Sequence, residues 1–106
     1  MSKTQSPAPH EPSIQAMVWY KEEHWDTLIK LFSDSHLLPK NYADWLLRAE
    51  EMLKKVEADG DVVIKVFIDP ETFPAWCKEK GIEMDSNARA DLAIEVATHQ
   101  NFGLNV

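Results

Sequence analysis

Apolar positions along the chain fall into two kinds of rhythm, and each predicts a different element. In KEEHWDTLIKLF, Trp25, Leu28, Ile29 and Phe32 recur at i, i+3, i+4 and i+7, the stripe of a helix with one buried face. Glu22 and Glu23 stand in its first turn, where carboxylates complement the helix dipole. NYADWLLRAEEMLKKVEADG repeats the rhythm over a longer span through Tyr42, Trp45, Leu46, Ala49, Met52, Leu53 and Val56. Asn41 suits its N-cap, and Gly60 stands where a left-handed residue would end it. SDSHLLPKN, between the two stripes, reads as a connecting loop.

DVVIKVFID alternates instead. Val62, Ile64, Val66 and Ile68 point to one face and Val63, Lys65 and Phe67 to the other, as in a β-strand. The first face requires covering helices, whereas the lysine makes the second half solvated. SIQAMVWY predicts a shorter strand over about 15–19, with a helical start as the competing reading because Gln, Ala and Met favour helix. After the second strand, Asp69 followed by Pro70 predicts a helix start, with Ile68 and Phe73 as a hydrophobic staple. Pro74 strains that scheme, so Thr72 is the competing cap. Phe73, Trp76 and Cys77 share a face under either reading, and Gly81 ends the helix. Asp85 or Ser86 caps a last helix running to about His99, with Gly103 beyond it.

The predicted fold is therefore α+β, a small, mostly helical single domain in the order β-α-α-β-α-α. Its two short strands are expected to run antiparallel because two helices intervene, and helices should cover the sheet. Residues 1–12, with three prolines and little to bury, are expected to be a flexible tail, leaving 13–106 as the domain.

Chemistry is conspicuous mainly by what the pattern excludes. The net charge of −7 comes without a basic stripe, which argues against nucleic acid and anionic lipid as partners. A helix-turn-helix reading of residues 74–96 offers acidic residues among Asn87 and Arg89 and has too long a link. No apolar run reaches membrane-span length, and the N-terminus lacks the apolar core of a secretory signal. With one cysteine there is no disulfide framework, which suits a reducing cytoplasm. Cys77 lies beyond the first turn of its helix, on an apolar stripe, and is expected to be a buried thiol with a raised pKa. The histidines at 10, 24, 36 and 99 lack metal-ligand spacing, and a site at His24 with Glu22, Glu23 and Asp26 is weaker than a solvated first turn. With three glycines, no phosphate loop can be built. No catalytic residue, cofactor or metal is expected, and the balance leans away from an enzyme.

What the pattern leaves over is apolar surface. The last helix is apolar around most of its circumference, with Ile94 nearly opposite Leu92. Leu47 points away from the stripe of the long helix, and Trp19 is expected to be partly exposed on its strand. Trp19, Leu47 and Ile94 are the candidate interface residues, and a homodimer is expected, with another protein as the alternative partner. The resulting functional expectation is a small non-enzymatic protein-interaction or regulatory module that self-associates. The first competing reading is a small ligand-binding protein or enzyme with a pocket near Trp19, Tyr20 and His24. The second is an acidic nucleic-acid-binding or DNA-mimic protein.

Asp69-Pro70, Phe73, Trp76-Cys77, Gly81 and Ala88-Arg89 together resemble a family of small uncharacterised bacterial proteins of unknown function. The resemblance covers about a quarter of the chain and implies a compact α+β domain in a bacterial cytoplasm. It transfers no activity, cofactor or catalytic residue.

Overall fold

The computed structural model describes residues 13–102. The expected flexible tail at 1–12 and the terminator at Gly103 lie outside the described residues. The order is β1 (Ile14–Trp19), α1 (Glu22–Leu31), a 3-10 turn (Ser35–Leu37), α2 (Tyr42–Ala58), β2 (Val62–Phe67), α3 (Thr72–Lys80) and α4 (Ser86–Phe102). This is the α+β order read from the pattern, with α4 somewhat longer than expected.

The capping chemistry explains most boundaries. The Asn41 side chain accepts the Asp44 N–H at 2.8 Å, which starts α2. Asp69 Oδ1 accepts the N–H groups of Glu71 and Thr72 at 2.7 and 3.1 Å, while its carbonyl accepts that of Phe73 at 3.0 Å. Asp69 thus acts as the cap of the turn leading into α3, and Ile68 and Phe73 are both fully buried beneath it. Pro74 is accommodated because the bond it cannot donate would go to Pro70, in the irregular first turn. Gly81 ends α3 in the left-handed region at φ 69°, where its missing Cβ removes the steric penalty. Asp85, rather than Ser86, caps α4 by accepting the Ala88 N–H at 3.0 Å.

The strands pair in parallel, Ile14 with Val62 through Trp19 with Phe67, which corrects the antiparallel expectation. Counting helices misled because the two are unequal in role. At 17 residues, α2 spans about 25 Å, which is enough to return the chain along a six-residue strand of about 20 Å. It runs beside β2, and α1 instead contributes Trp25 and Leu28 to the core. One long helix is a complete crossover, so the second strand enters in the direction of the first.

Burial is graded along the sheet. On the face carrying Val62, Ile64, Val66 and Ile68, Val62 is 57% exposed and Ile64 half-buried, whereas Val66 and Ile68 are buried. The core sits at the C-terminal ends of the strands, where Tyr20, Trp25, Leu28, Phe32, Trp45, Phe73 and Cys77 gather. Helix α4 lies across both strands and mainly against β1; its buried Ala93 and Ala97 are small enough to permit a close approach.

Candidate interaction surface

Of the three residues expected at an interface, the structure places two on the surface and one inside. Trp19 is only 4% exposed, which corrects its expected exposure. Its ring meets that of Trp45 edge-on at 5.3 Å, and Lys65 Nζ lies 4.2 Å from the ring centroid. Trp19 is covered because α2 brings Trp45 over it. Leu47 and Ile94 are 61% and 60% exposed, on α2 and α4 respectively. They belong to different helices. Met52, within the long stripe of α2, is also exposed, as are Ile14 and Val62 at the start of the sheet.

Of the residues expected near a pocket, Trp19 and Tyr20 are packed into the aromatic core. Tyr20 is buried between Trp25, Phe32 and Trp45, with centroid separations of 5.7, 5.8 and 4.7 Å. Burial pushes its phenol up to about 12, against the pull of the Arg89 charge and aided by that of Asp34. His24 is half-buried, and its Nδ1 is enclosed without a hydrogen-bond partner. A cleft of about 330 Å³ opens elsewhere, near Cys77, Ser33 and Met84. The Ser33 backbone N–H and hydroxyl both donate to the Met84 carbonyl, at 2.9 and 3.4 Å. The Cys77 thiol is 2% exposed, and burial, with the Asp85 charge, pushes its pKa up. Both groups therefore act as packing and bridging groups in this geometry.

A polar element that pattern reading did not find ties α4 to the loop after α1. Arg89 is 5% exposed and donates from both terminal nitrogens to the two carboxylate oxygens of Asp34, each at 2.9 Å. Its guanidinium carbon also lies 4.3 Å from the Phe32 ring centroid. The Arg89 hydrogen bonds hold the Asp34 carboxyl below its usual range, more than offsetting partial desolvation. Desolvation opposes the Arg89 charge, but Asp34, Tyr20 and Asp85 together outweigh it and raise its pKa. The partners lie 55 residues apart, so no local motif announces the pair. The one available signal was a permanent cation set among Ala88, Leu92 and Ala93.

Among the described residues no group of three or more His, Cys, Asp or Glu side chains could hold a metal ion. No helix among them is long and apolar enough to cross a membrane. The architecture is that of a small α+β domain whose interior polar groups are largely engaged with each other and whose helices retain exposed apolar residues. The chain belongs to a family described as a domain of unknown function (DUF8829), which matches residues 9–102. No curated protein and no solved structure matches the chain.

Proposed function

We propose that this protein is a small, non-enzymatic interaction or regulatory module that works by self-association, as a homodimer in a bacterial cytoplasm. The observation that carries the reading is the exposure of Leu47 and Ile94, each more than half open on its helix. An exposed large apolar side chain gains free energy when covered, roughly 1.5–3 kcal/mol for full burial of a leucine or isoleucine. The cytoplasmic assignment is supported by a free buried cysteine and an acidic surface, and the bacterial one by the family resemblance.

The pocket reading has less support, because Trp19 and Tyr20 are interior. The nucleic-acid reading has less again, because Arg89, the arginine of the presumed recognition helix, is held by Asp34. Size-exclusion chromatography with light scattering at micromolar concentration tests the proposal. A mass of twice 12.2 kDa is expected, and a strict monomer would remove its main support.

A further inference from the structure

We infer that the second copy docks on the outer edge of β1, so that two chains form one continuous four-stranded sheet, β2-β1-β1-β2, about a two-fold axis at Ala16. The inference rests on the self-association proposed above and names its surface.

The hydrogen bonds that bracket the parallel ladder define which backbone groups are spare. The Val62 N–H donates to the Ser13 carbonyl at 2.9 Å, and the Ile68 N–H donates to the Trp19 carbonyl at 3.1 Å. In a parallel ladder each residue bonds the two residues that flank its partner. With the observed register, Ser13, Gln15, Met17 and Trp19 therefore turn their backbone groups toward β2. The N–H and C=O groups of Ile14, Ala16 and Val18 turn outward, and on β2 those of Val63, Lys65 and Phe67 do so. No hydrogen bond among the described residues reaches the outward groups of β1 from outside the sheet.

Charge separates the two edges. β2 carries Lys65 at its centre, and Lys21 Nζ lies 5.7 Å from the ring of Phe67 at its end. Pairing β2 with its own copy would bring like charges together at an edge, a device by which sheets resist such pairing. β1, with the sequence IQAMVW, has no charge, proline or glycine along its length. It is the unguarded edge.

An antiparallel pairing centred on Ala16 puts Ile14 opposite Val18 of the second copy, and all three outward residues exchange both of their bonds. A stable interface buries roughly 1,200–2,000 Å², more than backbone pairing of one short strand is built to supply. Helix α4 lies mainly against β1 and therefore flanks the new axis. A two-fold perpendicular to the sheet keeps both α4 helices on one face as neighbours. Ile94, 60% exposed on that helix, and Ile14, 48% exposed on the strand, gain apolar surroundings.

Amide hydrogen exchange on the full chain over a concentration series tests this assignment. Protection at Ile14, Ala16 and Val18 should rise with concentration, while Gln15, Met17 and Trp19, already bonded to β2, should hold constant. In parallel, Ala16→Pro removes an outward N–H without touching the ladder to β2, so it should lower the mass in solution from dimer to monomer with the circular-dichroism spectrum retained. Val63→Pro makes the matching change on the outer edge of β2 and should leave the dimer intact. If Ala16→Pro fails to fold, the exchange series on the native chain decides. A dimer whose Ile14, Ala16 and Val18 amides exchange freely at all concentrations overturns the edge assignment and leaves self-association standing. A monomer throughout overturns both.

Discussion

Replacing Arg89 by methionine removes a buried cation while keeping much of its aliphatic volume. The side chain is 6% exposed and Asp34 15%, so the variant strands a largely dehydrated carboxylate opposite an apolar group. Breaking a buried pair from one side typically costs about 3–5 kcal/mol. Partial hydration of Asp34 places the expected loss near the lower end, about 3 kcal/mol, and the lost stacking on Phe32 adds to it. For a domain of this size that corresponds to a fall in Tm of roughly 12–24 °C. Urea titration and calorimetry at neutral pH measure it, and Asp34→Asn in the Arg89→Met background should recover part of the loss by removing the orphaned charge. The pH dependence supplies an independent sign. The folded carboxyl of Asp34 lies below its unfolded value, so its contribution is present above that unfolded value and disappears as pH falls through the folded one. Wild type should lose this increment in acid, and Arg89→Met should lack it. A loss of about 1 kcal/mol or less, the scale of an exposed bridge, or identical acid limbs in both proteins, would refute the reasoning.

Three further outcomes follow from the same packing. Asp69→Ala removes the acceptor for two backbone N–H groups at the start of α3 and should lower the midpoint of chemical denaturation. The Cys77 thiol, buried and with its pKa pushed up, should react with an aromatic disulfide reagent only as fast as the native structure opens; rapid, complete labelling of the folded chain would contradict its packing role. Because the folded phenol of Tyr20 is pushed up to about 12 from 10.0, its stabilising contribution should hold below pH 10 and be lost as pH rises toward 12. Tyr20→Phe should flatten that alkaline limb, as followed by unfolding midpoints across the range.

Local chemistry made the element order legible. The stripe Trp25–Phe32, the cap Asn41, the alternation Val62–Ile68 and the break at Gly81 each constrain a few adjacent residues, and each matches the structure. Strand direction is a different kind of property, set by which helix spans the sheet, and an apolar stripe by itself does not distinguish a crossover from a cap on the core. Trp19 shows the same limit. Its burial depends on Trp45, 26 positions away on another element. Leu47 and Ile94 were legible as surplus because an amphipathic helix reports its own misfits. The Arg89–Asp34 clip was not, since an arginine in an apolar stripe gives no sign of which carboxylate reaches it. The spare groups of β1 follow from register alone, which no periodicity encodes.

Sedimentation equilibrium of the full chain through a micromolar dilution series tests self-association most directly. The account predicts a reversible monomer–dimer system approaching twice 12.2 kDa at the upper concentrations. A constant mass of 12.2 kDa across the whole series would contradict it.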